Sequence, residues 1–240
     1  GEEASFIVMC DGKHALALAT SQDHKRLRDG DDGPNTGGMG AYSPAPVVSP
    51  EIHARVMREV IAPTLAGMAA VGTPYTGFLY AGLMIDRAGN IKVLEFNCRM
   101  GDPETQPIIL RLKSDLVELV DAAIDGRLDQ VEAQWDRRCA LGVVLAAHNY
   151  PDEPRKGDPI SGLDKCQAGE AGDYHVFHAG TAEQDGRVIT SGGRVLCVTA
   201  LGDTVKIAHK RAYEIVEKIQ FDGMQFRRDI GHRAMAPRKP

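Results

Sequence analysis

The chain opens with apolar runs of strand length separated by a polar turn. Residues 5–10 and 14–20 are largely apolar, and the Asp-Gly pair at residues 11–12 lies between them. An Asp-Gly pair flanked by two apolar runs is typical of a β-hairpin. A second hairpin is predicted over residues 77–97, where a glycine-containing turn at residues 87–90 separates two further runs.

Downstream of the first hairpin, apolar positions recur at helical spacing. Ser49 and Pro50 fit the N-cap and the first position of a helix, and an apolar stripe with a period of three to four residues follows. Pro63 lies inside this pattern, so we expect it to kink or interrupt the helix. Gly72 is predicted to end the element.

Two more helices precede a change in character near Gly126. Asp102 and Pro103 are predicted to begin the first as its cap and first residue, and the second lies between Ser114 and Gly126. Beyond this point, short apolar runs punctuated by Pro and Gly predict several strands, followed by one amphipathic helix over residues 205–219. This order of elements predicts an α+β fold with a second, smaller subdomain.

Residues 21–50 form a long segment rich in Gly and Pro with almost no apolar periodicity. Loops of this length in compact domains are usually functional or disordered. Glycines such as those at residues 37–40 let backbone N–H groups approach an anion closely, as phosphate-binding loops require. Lys25 and Arg26 add positive charge, so we interpret the segment as a phosphate-binding loop.

The strand predicted over residues 91–97 changes from apolar to polar toward its end. Because side chains alternate faces along a strand, four residues are expected on one face: Ile91, Val93, Glu95 and Asn97. A carboxylate and an amide oxygen side by side suit a hard divalent cation, and Mg²⁺ typically takes one or two protein oxygens and completes its shell with phosphates and water. Glu-x-Asn alone is more typical of an ordinary strand end, so the metal hypothesis depends on its neighbours.

Those neighbours favour an anion site. Arg99 follows the strand directly, and arginine is the fork-shaped donor for carboxylates and phosphates. A helix predicted to begin at Asp102 would present its N-terminus, which attracts anions. The ten residues from Glu95 to Glu104 therefore predict a combined metal and anion site.

Composition excludes several functional classes. The chain has 28 Lys and Arg against 33 Asp and Glu, a formal net charge of −5, so it lacks the electrostatic footprint of nonspecific nucleic-acid binding. No apolar run approaches the roughly 18 residues of a membrane-spanning helix. The five cysteines are widely spaced without a C-x-x-C motif, which indicates reduced thiols. We expect a cytoplasmic protein that binds neither nucleic acid nor membrane.

Several long motifs occur in the order found in one enzyme family. They are SQDHKR at 21–26, GPNTGGMGAYSP at 33–44, TGFLYAGLMI at 76–85 and LEFNCRMGDPET at 94–105. These closely resemble the phosphoribosylamine–glycine ligases, or glycinamide ribonucleotide synthetases, which are ATP-grasp enzymes of de novo purine biosynthesis. Shorter motifs continue the likeness to residue 231, so it covers nearly the whole chain.

The resemblance implies an ATP-dependent ligation. The carboxylate of glycine would attack the γ-phosphate of ATP to give glycyl phosphate, and the amine of 5-phosphoribosylamine would then displace phosphate. The products would be glycinamide ribonucleotide, ADP and phosphate. ATP with Mg²⁺ or Mn²⁺, glycine and 5-phosphoribosylamine are the implied ligands, and we expect a monomer or a weak homodimer.

The resemblance also implies residue roles. Glu95 and Asn97 match the family's metal ligands, and Arg99 is the expected catalytic residue, neutralising the acyl-phosphate region or gripping a substrate anion. The expected substrate- and phosphate-binding residues are Asp23, Lys25, Arg26, Gly37, Gly38, Met39, Gly40 and Asp102. Many relatives in the wider ATP-grasp group place a second metal-binding carboxylate about where Leu83 stands here, so metal binding should depend more heavily on Glu95 and Asn97.

By the same resemblance, residues 1–126 are the second half of an ATP-grasp domain, an antiparallel sheet with helices, and residues 127–240 are a small α+β C-terminal domain. The family's full chain carries an N-terminal α/β domain and an ATP-lid domain before this point, so we expect this chain alone to be inactive. The alternative is a noncatalytic nucleotide- or phosphate-binding module derived from such a ligase, which the presence of Glu95, Asn97 and Arg99 together disfavours. A different ATP-grasp ligase is disfavoured by the motif at 33–44.

Overall fold

A computed structural model describes residues 1–166 and 172–236 of the 240-residue chain. The backbone divides into two compact units, each built from separate stretches of sequence. Unit 1 consists of Gly1–Gln22, Pro44–Gly101 and Leu112–Asp136, and unit 2 of Asp23–Ser43, Asp102–Arg111 and the described residues from Arg137 onward. The sequential boundary expected at residue 126 stays a prediction, and these packing units do not follow it.

Strands and short helices alternate along the chain. The strands are β1 (Glu2–Asp11), β2 (Ala15–Ala17), β3 (Gln22–Asp23), β4 (Arg26–Arg28), β5 (Asp32–Asn35), β6 (Gly40–Ser43), β7 (Thr76–Ile85), β8 (Ile91–Asn97), β9 (Cys139–Ala146), β10 (Tyr174–His178), β11 (Thr181–Gln184), β12 (Arg187–Thr190) and β13 (Arg194–Gly202). The α-helices are α1 (Pro50–Val56), α2 (Ala62–Ala70), α3 (Thr105–Arg111), α4 (Leu116–Ile124), α5 (Val205–Val216) and α6 (His232–Met235). The α+β class is confirmed. In the part of the chain with assigned structure, no helix is both long and apolar enough to cross a membrane.

The main sheet of unit 1 is antiparallel, with the strand order β2-β1-β7-β8, and it confirms both predicted hairpins. Alternation along β1 separates two cores. Phe6 and Val8 belong to a buried cluster with side chains of α1 and α2, whereas Met9 belongs to a cluster with α4. Helices therefore cover β1 on both faces, and β1 is apolar on both sides as a result.

The helix predicted from Ser49 is confirmed in detail. The Ser49 hydroxyl accepts a hydrogen bond from the Ile52 N–H at 3.3 Å, and Pro50 is the first helical residue. A π-helical turn, Met57–Ile61, joins α1 to α2. Pro63 lies in the first turn of α2, where its missing N–H is best tolerated. The expected interruption is therefore the π-helical turn that immediately precedes this proline.

The predicted helix start at Asp102 and Pro103 is wrong. Residues 102–104 form a turn, and α3 begins only at Thr105. The reason is a tertiary contact: the Asp102 carboxylate accepts a hydrogen bond from the Arg194 guanidinium at 2.8 Å. The next helix, α4, does have an aspartate cap, since the Asp115 carboxylate accepts from the Val117 N–H at 2.7 Å.

Unit 2 is built on a five-stranded sheet with the order β10-β13-β9-β6-β3. Helix α5 covers one face, burying Val205, Ala208 and Ala212 against side chains of β9 and β13. The prediction that residues 21–50 form a loop is wrong in part, because the segment contains four short strands, including the interior strand β6. Strand β6 begins with a glycine, a residue that strands usually lack, so its sequence does not indicate a strand. It forms by pairing with β9, whose residues lie about a hundred positions further along the chain.

Candidate active site

The predicted metal ligands lie on β8, the edge strand of the unit 1 sheet. Asn97 pairs with Tyr80 and Glu95 with Gly82, but the next pair is Leu83 with Val93. Leu94 is therefore an extra residue, a β-bulge that interrupts the alternation of side chains. The predicted four-residue face is wrong because it does not continue through this bulge.

Glu95 and Asn97 themselves are brought together as expected. The Asn97 side-chain amide donates to the Glu95 carboxylate over 3.2 Å between Nδ2 and Oε1. The contact orients the two groups and leaves the second carboxylate oxygen and the amide oxygen as lone-pair donors. Gly82 makes room for Glu95, since a Cβ at this glycine would lie 3.2 Å from the Glu95 Cγ. Leu83 is fully buried in the core, consistent with the absence of a carboxylate there.

These two residues fit a hard divalent cation with few protein ligands. Both groups are oxygen donors, and Glu95 is exposed to solvent. Among the residues with assigned structure, no group of three or more His, Cys, Asp and Glu could form a protein cage for a metal ion. A cation bound here would therefore take most of its ligands from phosphates and water, as Mg²⁺ usually does.

Arg99 leaves β8 on the exposed side of unit 1. Its guanidinium donates to the Met100 carbonyl oxygen at 2.8 Å, a bond to its own neighbour that leaves most of its donors available to a ligand. Its catalytic role stays a prediction. All the expected substrate-side residues belong to unit 2 instead.

The backbone N–H groups of the glycine loop in unit 2 have hydrogen-bond partners within the protein. Four consecutive N–H groups donate within the protein: Thr36 to the Lys25 carbonyl at 2.7 Å, Gly37 to the Tyr150 hydroxyl at 2.9 Å, Gly38 to the Thr36 hydroxyl at 3.0 Å and Met39 to the His24 carbonyl at 2.8 Å. An anion cradle needs such groups free, so the backbone of residues 36–39 does not support this role, and phosphate binding by the loop stays a prediction.

The glycines instead allow close packing of protein against protein. A Cβ at Gly37 would lie 2.8 Å from the Arg194 Cζ, and one at Gly38 would lie 2.4 Å from the Pro103 Cδ. Gly38 also has a φ of +116°, which side chains rarely tolerate. Close packing of protein against protein is therefore enough to explain why glycine occupies positions 37 and 38.

The remaining substrate-side residues vary in what they can offer a ligand. Met39 is fully buried in the unit 2 core, and Gly40 is the first residue of β6. The Arg26 guanidinium donates to the Gly33 carbonyl at 2.7 Å. Lys25 is half-buried, as is Asp23. The binding roles of these residues stay predictions.

Arg227, which the sequence analysis did not identify, is a buried arginine that binds Asp31 in the segment before the glycine loop. Arg227 is 0% exposed and donates to both carboxylate oxygens of Asp229 at 2.7 Å and to Asp31 at 2.8 Å. Arg233 donates to the other Asp31 oxygen at 2.8 Å. Burial raises the pKa of Asp31, but the hydrogen bonds from Arg233 and Arg227 outweigh it and lower the pKa to about 2. Nothing in the local sequence distinguishes Arg227 from the exposed Arg228.

Arg194 is the second residue that the sequence analysis did not identify, and it contacts two of the predicted substrate-side residues. Its Nη1 donates to the Gly37 carbonyl at 2.6 Å and to the Asp102 carbonyl at 3.0 Å, and its Nη2 donates to the Asp102 carboxylate at 2.8 Å. Gly37 and Asp102 are thereby brought together. The motif that contains Arg194 contributed only to the family likeness, and its partners lie 92 and 157 positions away.

Models of one protein family match most of the chain. The ATP-grasp (A) domain of phosphoribosylglycinamide synthetase matches residues 1–105, and the C domain of the same synthetase matches residues 140–233.

Curated relatives agree with these family models. The chain is 68% identical over 235 residues to the phosphoribosylamine–glycine ligase of Ralstonia nicotianae, a match that covers 98% of this chain and 55% of the relative. It is 64% identical over 237 residues to the ligase of the same name from Vibrio parahaemolyticus, covering 98% of this chain and 54% of that relative. The chain thus spans about half the length of the relatives it matches.

Solved structures show a similar fold. The crystal structure of phosphoribosylamine–glycine ligase from Thermotoga maritima has a TM-score of 0.83 and 40% identity, covering 96% of this chain and 56% of that one. The urea carboxylase of Kluyveromyces lactis has a TM-score of 0.67 at 14% identity, covering 99% of this chain and 20% of that one. The second likeness is one of fold alone.

Proposed function

Because the chain belongs to the phosphoribosylglycinamide synthetase family, whose first matching domain is an ATP-grasp domain, we propose that it contributes the metal-binding and part of the substrate-binding machinery to the ATP-dependent ligation of glycine to 5-phosphoribosylamine. The observation that carries this proposal is the pair of Glu95 and Asn97 on β8, whose side chains are 3.2 Å apart within the matched ATP-grasp segment.

The proposed reaction has two steps. A carboxylate oxygen of glycine attacks the γ-phosphorus of ATP, the bond to the β,γ-bridging oxygen breaks, and ADP leaves. The amine nitrogen of 5-phosphoribosylamine then attacks the acyl carbon of glycyl phosphate and loses a proton, and inorganic phosphate leaves. The product is glycinamide ribonucleotide. Catalysis of such transfers depends mainly on positioning and on neutralising phosphate charge.

Glu95 and Asn97 would hold Mg²⁺ or Mn²⁺, and the ion would supply positive charge to the phosphates. Their carboxylate and amide oxygens are hard donors that suit either ion. Because Asn97 donates to one oxygen of Glu95, the carboxylate is oriented before any ligand binds. Asn97 therefore serves both as a ligand and as an orienting group.

Arg99 would stabilise the negative charge of the transferred phosphate or the acyl phosphate. Its guanidinium is exposed and is fixed at one corner only, by the Met100 carbonyl oxygen at 2.8 Å. Asp23, Lys25 and Arg26 are the side chains proposed to bind substrate. Lys25 and Arg26 carry the positive charge that a ribose phosphate requires, whereas the glycine loop shapes the surface beside them.

Activity is proposed for a protein that contains this chain together with the rest of the length of its relatives, and we expect the chain alone not to turn over. The first test joins residues 1–240 to the part of the Ralstonia nicotianae ligase that this chain does not match. Phosphate release is then measured with ATP, glycine and 5-phosphoribosylamine. We expect steady release that requires all three substrates.

The decisive variant of this hybrid is Glu95→Ala. We expect release to fall by about 100-fold or more, because a bound metal ion contributes several kcal/mol to charge stabilisation. Lys92→Ala is the matched control, since Lys92 is exposed on the same strand, and it should retain full activity. A folded hybrid with no activity and no metal-dependent nucleotide binding would favour the noncatalytic binding module instead.

A further inference from the structure

The Arg194 guanidinium joins two segments that the chain keeps far apart. It donates to the Gly37 carbonyl at 2.6 Å, the Asp102 carbonyl at 3.0 Å and the Asp102 carboxylate at 2.8 Å. Only 21% of its side chain is exposed. A planar guanidinium can make these three bonds at once, whereas the point charge of a lysine cannot reproduce their geometry.

Tyr150 holds the same glycine from its other side. Its hydroxyl accepts the Gly37 N–H at 2.9 Å, so both polar groups of this residue have partners. The tyrosine ring lies against the backbone next to Arg194, since a Cβ at Gly193 would be 2.5 Å from the Tyr150 Cδ2. The segment around Arg194 therefore fixes Gly37 in two independent ways.

The same arginine leaves one part of Asp102 open. Its Nη2 contacts the Oδ2 atom, but 61% of the aspartate side chain remains exposed. A carboxylate repels phosphate and accepts hydrogen bonds from an ammonium or a hydroxyl group. The exposed part of the Asp102 carboxylate can thus accept a hydrogen bond from a donor group of a substrate. This role differs from the phosphate binding expected of its neighbours.

We propose that Arg194 is a positioning residue, which holds the Asp102 carboxylate and the Gly37 peptide so that Asp102 accepts a hydrogen bond from a substrate ammonium or hydroxyl group. The inference rests on the proposed function, in which glycine offers an ammonium group and 5-phosphoribosylamine offers ribose hydroxyl groups. ATP carries ribose hydroxyl groups too, but the proposal assigns Asp102 to one of the two substrates that are joined. The KM for ATP is therefore expected not to depend on Arg194.

The test measures kcat and KM for all three substrates in the hybrid enzyme, for the wild type and for Arg194→Lys. We expect the KM for glycine or for 5-phosphoribosylamine to rise about tenfold or more, because a charge-assisted hydrogen bond is lost or misdirected. The KM for ATP and the unfolding temperature should stay close to the wild-type values. A rise confined to glycine assigns Asp102 to the ammonium group, and one confined to 5-phosphoribosylamine assigns it to the ribose.

Arg155→Lys is the matched control. Arg155 also bridges two aspartates of unit 2, Asp158 at 2.9 Å and Asp222 at 2.5 Å, without contacting the loop, so its variant should leave every KM unchanged. The proposal is overturned if Arg194→Lys leaves all KM values as they were. It is equally overturned if all three KM values rise together with a loss of thermal stability, which would indicate a structural role.

A separate measurement keeps this inference apart from the proposed function. If the wild-type hybrid releases no phosphate, the function fails, and amide exchange on the 240-residue chain still tests Arg194. In Arg194→Met we expect faster exchange at Gly37 and Gly38, with the amides of β9 unchanged. Unaltered protection at Gly37 would show that Arg194 does not position the loop.

Discussion

His24 should make the stability of this protein depend on pH between about 6.5 and 4.5. Its side chain is fully buried in unit 2, and its Nε2 accepts the Gly231 N–H at 2.9 Å. The Nδ1 atom has no hydrogen-bond partner among the described residues and lies 3.8 Å from the Asp31 carboxylate. Burial, followed by the charges of Arg227 and Arg233, lowers the pKa of His24 to about 3.

The sign of the effect follows from proton counting. In the unfolded chain a histidine binds a proton near pH 6.5, but folded His24 stays neutral until about pH 3. The unfolded state therefore binds more protons across this interval, and stability falls as the pH falls. Between pH 7.5 and pH 4.5 the loss attributable to His24 is about 2.5 kcal/mol, at about 1.4 kcal/mol per pH unit once the unfolded histidine is charged.

Urea unfolding of wild type and His24→Gln over this pH range measures the effect. Carboxylates titrate in both proteins, so the difference between the two curves isolates His24. We expect the wild type to lose about 2.5 kcal/mol more than the variant on acidification. His175→Gln removes an exposed histidine of the same unit, and its curve should run parallel to that of the wild type. Parallel wild-type and His24→Gln curves, or an NMR titration that places the His24 pKa near 6.5, would refute the reasoning.

Two further predictions concern the contacts that hold the glycine loop and the segment before it. Arg227→Met should lower the free energy of unfolding by about 2–3 kcal/mol, because the half-buried Asp229 loses both hydrogen bonds from Arg227 and Asp31 keeps only the one from Arg233. Arg228→Met at the exposed neighbour should cost little, and equal losses in urea unfolding would contradict the network's role. Gly38→Ala should cost clearly more than Gly186→Ala, which also has a positive φ (+71°) but has nothing within 4 Å of its Cβ. A strained backbone position costs about 1–3 kcal/mol in either variant. The additional loss of unfolding free energy in Gly38→Ala therefore measures the clash with Pro103. Equal losses would mean that Pro103 shifts to make room for the methyl group.

Much of the fold could be predicted from the sequence because it depends on neighbouring residues. The two hairpins of unit 1 follow from turn residues between apolar runs, and the helix after Ser49 follows from its cap. In contrast, β6 could not be found within residues 21–50. Its composition is that of a loop, and only its pairing with β9 makes it a strand.

In the candidate site, too, contacts between neighbouring residues could be predicted and contacts between distant residues could not. Glu95 and Asn97 are two residues apart, so strand geometry alone brings them together, and their 3.2 Å contact agrees with it. The bulge at Leu94 has no sequence signal, because it arises from the pairing with β7. The contact of Arg194 with Asp102 and that of Arg227 with Asp31 were missed for a similar reason, since these carboxylates lie 92 and 196 positions away in the sequence.

Sequence distance also explains why the packing role of the glycine motif could not be predicted. Glycine-rich segments look alike whether a phosphate or another part of the chain approaches their backbone, because both need the absence of a Cβ. The two cases differ only in what occupies the space. Here Arg194 and Pro103 occupy it, and the N–H groups of residues 36–39 donate to protein oxygens. Under the proposed function, Asp102 and the charged side chains beside the loop are therefore better candidates for contacting the substrate than the N–H groups of residues 36–39, which is why Asp102 and the arginine that holds it are the residues to vary.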